Sequence, residues 1–284
     1  MDMECIEIGY LGYGTRALDA LMEDERFHVR YFFTPSKNLC RDVEEAKKRY
    51  PGLIYREISG KKELAEAFGN CADVSCFLMN ACSIILNEEI LSKMGVYNIH
   101  PGSLAYNRGH HPHLWTVRLM EEETEITLHK VTPSIDLGEV IACEKIRVSR
   151  DWDELQVLNA AEDRIPQLLH GLYRYLTGQQ KALACIRDGG YRRVMQEEDY
   201  EIIWEEDTPE IVKAKILCRA AHRGAFFQWE GNRIYIDRIL EESRESGAQR
   251  DIAVRTDGEN REVFVSAGGE RYRFRLNSME RIGK

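Results

Sequence analysis

The run Val96-Tyr97-Asn98-Ile99-His100-Pro101-Gly102 decides how this chain is read. Val96, Tyr97 and Ile99 favour an extended strand. Side chains in a strand alternate with period two, so Asn98 and His100 point the same way. Pro101 and Gly102 stop the strand and leave both groups at its carboxyl end. Open α/β sheets bind ligands at that end. Further on, Ser134-Ile135-Asp136-Leu137-Gly138 supplies a carboxylate. A carboxamide that can donate to a developing oxyanion, a titratable imidazole and a carboxylate to orient it form a set suited to acyl transfer.

Strand-like and helix-like stretches alternate on the amino-terminal side of that run. Strands are expected at 5–10, 27–33, 53–57 and 74–79, with helices at 15–22, 42–49, 61–68 and 88–94 between them. This alternation predicts a doubly wound, mostly parallel α/β sheet of Rossmann-like type. On the other side, 113–121 reads as a helix, 126–131 and 140–148 as strands, and 153–176 as a long helix with a kink or a break at Pro166. The catalytic domain is thus expected to span 1–178. A polar linker follows over 179–199, with Gly189-Gly190 in its middle.

Beyond the linker the pattern changes. Thr208 as N-cap and Pro209 at the first helical position predict a helix over 208–221. Short strands at 225–229, 233–240, 252–256, 263–267 and 272–277 follow. Turns at Glu230-Gly231-Asn232, Asp257-Gly258-Glu259 and Gly268-Gly269 separate them. A small OB-like β-barrel over 200–284 fits this spacing.

Composition narrows the function. The 284 residues carry a net charge of −9, of which −8 falls in 1–199 and −1 in 200–284. Binding a long polyanion draws on clustered Lys and Arg, and little of that is present. No apolar run is long enough to span a membrane and no basic-then-apolar leader opens the chain, so a cytoplasmic protein without a membrane partner is expected. Cys5, Cys40, Cys71, Cys76, Cys82, Cys143, Cys185 and Cys218 include no Cys-x-x-Cys pair. They read as reduced, buried small hydrophobes.

Around the opening run, Asn98-Ile-His100-Pro101-Gly102-Ser103-Leu104-Ala105-Tyr106-Asn107-Arg108-Gly109, together with Thr127 to Gly138, resembles the folate-dependent formyltransferases. That family carries an Asn-x-His-Pro segment, a following Arg-Gly, and an Asp in an Asp-x-Gly turn. Ile203-Trp204, Arg219-Ala220, Gly224-Ala225-Phe226 and Gly231-Asn232-Arg233-Ile234 look like the carboxyl-terminal domain of methionyl-tRNA formyltransferases. The resemblance implies a catalytic trio of Asn98, His100 and Asp136, with 10-formyltetrahydrofolate as co-substrate and no metal. It places the pterin against Met79, Asn80, Ala81, Ile84, Ile85 and Leu86 on one side and Thr132 and Ile135 on the other. Tyr106, Asn107, Arg108, His110 and His111 would meet the acceptor. A homodimer is compatible with it.

Each feature has a plainer reading. Gly9-Tyr10-Leu11-Gly12-Tyr13-Gly14 lacks the Gly-x-Gly-x-x-Gly spacing, and no acidic residue ends the second strand, so a tight turn is preferred to a dinucleotide site. His100, His110, His111, His113 and His129 could suggest a metal cluster. Most of them lie in an irregular loop rather than at fixed spacing on a rigid element. Asp136 could merely shape a turn, and Arg108 could be a surface charge or a phosphate contact. Arg271, Arg273 and Arg275 read as a solvated strand face.

The stretch 33–49 lacks the basic Gly-Arg-Gly-Lys-Lys-like insertion of the enzymes that act on tRNA. Sugar N-formyltransferases resemble the reactive loop better, through His-Pro-Gly, Tyr-Asn-Arg-Gly, Pro112 and Trp115. The preferred acceptor is therefore the amine of a nucleotide-linked amino sugar, with methionyl-tRNA as the alternative. Formyltetrahydrofolate hydrolase is more remote, because it would place a small regulatory domain ahead of the first strand. A non-catalytic nucleotide-binding module would have no use for an intact trio.

Overall fold

The computed structural model describes residues 5–37, 41–186, 188–244, 251–257, 260–267 and 269–282. Cys40, Gly258, Glu259 and Gly268, named above, lie outside them. The chain forms two compact units: 1–109 with 124–146 and 160–192, and 110–123 with 147–159 and 193–284.

The first unit opens with β1 (Ile6–Gly12), α1 (Thr15–Glu23), β2 (Phe27–Pro35), α2 (Arg41–Arg49), β3 (Ile54–Ile58), α3 (Lys61–Gly69), β4 (Cys76–Asn80), α4 (Glu88–Leu91) and β5 (Val96–His100). After β6 (Arg108–Gly109) come α5 (Pro112–Arg118), β7 (Glu123–Lys130), β8 (Glu139–Arg147), α6 (Glu154–Glu162), α7 (Ile165–Leu176), β9 (Ala184–Cys185) and β10 (Tyr191–Arg192), of which α5 and most of α6 belong to the second unit. The sheet order is β3-β2-β1-β4-β5-β7-β8-β9. Its first five strands are parallel, and β7 returns antiparallel to β5. Chain direction across the sheet reverses between β1 and β4. Right-handed crossovers then put α1 and α2 on one face, and α3 and α4 on the other. The mixed α/β, largely parallel sheet expected from the alternation is present.

Strand β4 is buried along its whole length, as a central parallel strand must be. Phe77 packs with Phe33 and Phe68 in an apolar cluster that also holds Leu64, Ile90 and Val96. Gly9 makes room for it: a Cβ there would lie 2.3 Å from the Phe77 ring. At the carboxyl end of β1, Gly12 (φ +143°) lets the backbone of Asn80 approach, where a Cβ would stand 1.8 Å from its carbonyl oxygen.

At Pro166 the break is what forms. The stretch 153–176 is two helices, with Pro166 in the first turn of α7, where its missing N–H costs nothing. Thiols differ too. Cys71, Cys76 and Cys218 are buried, whereas Cys5, Cys143 and Cys185 are exposed, each on the outer side of a strand or at its end.

In the second unit, α8 (Glu197–Tyr200) and α9 (Pro209–Leu217) precede β11 (Ala225–Trp229), β12 (Asn232–Arg244), β13 (Asp251–Asp257), β14 (Asn260–Ala267) and β15 (Glu270–Arg281). The stretch 179–199, read as a linker, thus carries β9, β10 and the start of α8. The last five strands form an antiparallel sheet in the order β11-β12-β15-β14-β13. It is open: among the described residues β11 and β13 are edges, not partners in a closed barrel. Ile202, Trp204, Val212 and Ile216 cover the apolar face formed by Ile234, Ile236, Val263, Phe274 and Leu276. Arg273 is paired with Glu241 and Glu262, and Arg275 with Asp237, so that strand face is charge-balanced. No helix among the described residues is long and apolar enough to cross a membrane.

Lys215 on α9 is only 4% exposed. Its ammonium donates to both Asp207 carboxylate oxygens (2.8 and 2.6 Å) and to the Glu201 carbonyl (2.7 Å). Removing one partner of a buried pair strands the other charge, at about 3–5 kcal/mol. Asp207→Ala should therefore destabilise the carboxyl-terminal unit by about that amount, read by urea unfolding through Trp204 fluorescence. A loss below about 1 kcal/mol would show the pair to be dispensable.

Candidate functional site

Three segments of the first unit bring the expected trio together. Strand β5 carries Asn98 and His100, and the register of β5 against β7 sets Asn98 opposite His129 and His100 opposite Thr127. Pairing across antiparallel strands puts such side chains on one face. The loop after β7 then returns Asp136 to the same place in a left-handed conformation (φ 52°). Gly138 permits that return, since a Cβ there would stand 1.9 Å from the Lys130 carbonyl oxygen.

His100 is buried, with Nε2 2.9 Å from the Asn107 carbonyl oxygen and Nδ1 3.7 Å from Asp136 Oδ2. Donation to that carbonyl assigns the ring proton to Nε2 and leaves Nδ1 facing Asp136. Burial pushes the His100 pKa below its ordinary value, against the upward pull of the Asp136 carboxylate. The ring is therefore neutral at pH 7. Asp136 is the converse case. Burial alone would raise its pKa, but a hydrogen bond from His129, the nearby imidazoles and the Gly109 N–H at 2.8 Å outweigh burial and bring it to about 2.

His129 completes the set. Its Nε2 lies 3.1 Å from Asn98 Nδ2 and 3.5 Å from Asp136 Oδ1, while Nδ1 is 3.2 Å from the Lys130 carbonyl oxygen. It stood in the sequence only as a member of a candidate metal cluster. Its signal was positional: an antiparallel strand paired with the Asn98 strand would put a histidine opposite the carboxamide.

Other expected residues are distributed as follows. Arg108 is buried, and its guanidinium donates to the carbonyls of Ile135 (2.9 Å) and Gly189 (2.8 Å). Those two donors hold loops, while the buried Nε of the same guanidinium has no partner. Asn107 is buried and lends its carbonyl to His100, whereas Tyr106 is exposed. His110 and His111 belong to the second unit.

Asn80 is buried, and its Nδ2 donates to the Ile99 carbonyl (3.2 Å), between the two reactive side chains of β5. It fills the space beside Gly14, where a Cβ would meet its Oδ1 at 1.7 Å. The Tyr13 N–H donates to the Ala81 carbonyl (3.1 Å), so the glycine-rich segment is the tight turn that was preferred. Met79 and Leu86 are buried in the core. Ile85 (52%) and Ile135 (38%) present apolar surface from the two segments expected to hold the pterin. Thr132 Oγ1 braces the second of these by donating to the carbonyls of Ser134 (3.0 Å) and Leu137 (2.7 Å).

Residues 37–170 match the family model described as formyl transferase. That stretch carries a formyl transferase domain like that of the folate-dependent formyltransferases. Solved structures of similar fold include HypX from Aquifex aeolicus in complex with tetrahydrofolic acid, at TM-score 0.68 and 16% identity over 98% of this chain. The chain spans about 45% of the length of that protein. A sugar N-formyltransferase from Shewanella sp. is similar at TM-score 0.65 and 15% identity, covering 81% of this chain and 96% of its own. The N-formyltransferase from Helicobacter canadensis, solved with folinic acid and dTDP-3-aminofucose, gives TM-score 0.66 and 12% identity over 95% and 99%. At these identities the likeness is one of fold.

Within this formyltransferase fold the electrostatics give a sign for pH dependence. A neutral His100 whose pKa is depressed below 6.5 should leave the acid limb of kcat/KM below pH 6.5. Asp136→Asn removes an influence that raises the His100 pKa, so the limb should move to still lower pH while turnover falls about a hundredfold or more. His100→Ala should lose as much turnover without unfolding. Near-normal rates in both variants, measured by release of tetrahydrofolate, would remove these residues from the chemistry.

Proposed function

We propose that the chain transfers a formyl group from 10-formyltetrahydrofolate to the amine of a nucleotide-linked amino sugar, with Asn98, His100 and Asp136 as its catalytic residues. The observation that carries this reading is the buried ionised carboxylate of Asp136 beside a neutral His100 and the Asn98 carboxamide, at the carboxyl end of β5.

The residues fit the folate. A flat bicyclic heteroaromatic needs apolar faces and a few edge hydrogen bonds, and Ile84, Ile85 and Ile135 supply the faces on two segments bordering one apolar cluster. The bound folate supplies the formyl carbon. The acceptor amine attacks that carbon, and the bond from formyl carbon to folate N10 breaks. The Asn98 carboxamide, oriented by His129, donates to the oxygen as negative charge gathers on it. The gap of 3.7 Å between His100 Nδ1 and Asp136 Oδ2 offers two acceptors to the incoming amine. His100 takes the amine proton as the new C–N bond forms and returns it to the departing N10. Asp136 stabilises the imidazolium in between.

The acceptor follows from electrostatics and from the reactive loop. A net charge of −9, with the basic strand face of β15 already paired to acids, gives an initiator tRNA little to hold. A sugar nucleotide needs only a few donors for its phosphates. The open carboxyl-terminal sheet is read as the family's OB-like domain.

The decisive experiment offers methionyl-tRNA and a panel of UDP- and dTDP-linked amino sugars with 10-formyltetrahydrofolate, at low and moderate salt. Formylation of at least one sugar, with the tRNA untouched, is expected. Transfer to the tRNA far above every sugar, abolished by salt, would replace the acceptor. Release of tetrahydrofolate at full rate with no acceptor present would point to a hydrolase.

A further inference from the structure

The second unit gathers another group of charged and titratable side chains that the trio does not use. His111 stands just before α5 in a left-handed conformation (φ 48°). Its ring centroid lies 6.3 Å from that of His110 and 5.9 Å from that of His113. Helix α5 packs against α9, and the turn after α9 carries Arg219 and His222, whose N–H donates to the Arg219 carbonyl (3.0 Å). The Arg219 guanidinium lies over the Tyr200 ring at 4.7 Å, with its buried Nε lacking an acceptor.

Among the described residues, His110, His111, Arg219 and His222 have no carboxylate within ion-pair distance. The acids of α8 are committed elsewhere. Glu197 is bidentate to Arg233 (2.7 and 2.8 Å), and Glu198 and Asp199 are paired with Arg193. Glu154 lies beside the turn itself: its Oε1 accepts from the Ala221 N–H (2.7 Å), its buried Oε2 has no partner, and burial raises its pKa toward the neutral acid. His111 and His222 both keep exposed surface, and partial desolvation first, then repulsion (from His110 and Arg219 at His111, from Arg219 and His111 at His222), holds their pKa values below the ordinary imidazole range. Cation-capable groups collected without an acid raise the folded state's energy, and an anion among them relieves it.

We propose that His110, His111, Arg219 and His222 form an anion subsite of the second unit for a phosphate-bearing small molecule. The anion chemistry does not rest on the sugar-nucleotide reading. Arg219, stacked on Tyr200, presents a planar fork suited to phosphate oxygens, and the histidines add N–H donors on protonation. Binding is therefore coupled to proton uptake: each imidazole that charges only with the anion present tightens binding as pH falls from its anion-bound value toward its free one.

Inorganic pyrophosphate, titrated calorimetrically into the full chain without formyl donor, tests the subsite apart from the acceptor assignment. Affinity for wild type should fall about tenfold or more from pH 6 to pH 8 at constant ionic strength. Pyrophosphate itself gains charge over that range, so a simple basic surface would show the reverse. Arg219→Gln and His222→Gln should each weaken binding about tenfold or more at pH 6, with Arg219→Lys retaining part of it. His222→Gln should also flatten the pH dependence. Absence of binding, or wild-type affinity in Arg219→Gln and His222→Gln, overturns the subsite even if the panel yields a sugar nucleotide. Conversely, pyrophosphate binding that behaves as described stands even if every sugar on the panel fails.

Discussion

Asp136 is ionised down to a pH of about 2 in a place that burial alone would make hostile to charge. An unpaired carboxylate there would cost several kcal/mol or take up a proton. Its neighbours meet that cost. The Gly109 N–H satisfies Oδ2, while His129 and His100 face Oδ1 and Oδ2. Much of the local backbone serves this arrangement. The left-handed turn at Asp136, the close approach allowed by Gly138 and the Arg108 clamp on the Ile135 carbonyl all fix where the carboxylate sits. Pairing β7 antiparallel to β5 is what brings His129 within reach of both Asn98 and Asp136.

The same carboxylate sets the character of His100. Burial drives the imidazole toward neutrality, and the nearby negative charge pulls the other way without prevailing. The ring thus stays unprotonated at neutral pH while standing beside the group that will stabilise it once charged. That is the condition for a general base whose proton is held only for the length of the reaction. Linkage gives the consequence for folding. The depressed Asp136 pKa contributes stability above the unfolded carboxyl value of 3.8, and that contribution is lost as pH falls toward 2. His100 acts in the same direction from a higher starting point. Its unfolded form binds a proton below pH 6.5 while the folded form resists, so acid weakens the fold there first.

Much of this was legible in the sequence because the governing rules are local. Strand period two, with a Pro-Gly stop, is enough to place Asn98 and His100 together at a sheet end. The βα alternation is enough for the parallel sheet on which they stand. What escaped depends on pairing between distant segments. Nothing near His129 in sequence distinguishes it from any histidine in a strand, and only the β5–β7 register gives it a partner. The loop-holding part of Arg108 was hidden for the same reason, because Gly189, far along the chain, supplies one of the carbonyls it holds. At Pro166 the sequence leaves a kink and a break both open, since a proline that kinks one helix and a proline that starts another differ only in where the preceding turn ends.

Charge is distributed in the folded chain by a rule that composition hides. The basic strand residues Arg273 and Arg275 face acids on β12 and β14, and on α9 Lys215 is buried against Asp207. A chain with nine more acids than bases has no shortage of carboxylates to pair with any cation. Against that background, cations left without an acid are the informative ones, because a partner was available and is absent. Arg219 with its neighbouring histidines meets that description. An anionic substrate approaching a protein of net negative charge gains nothing from the long-range field. Its recognition has to come from a few short-range donors in a partly desolvated place, where each charge-assisted hydrogen bond is worth most.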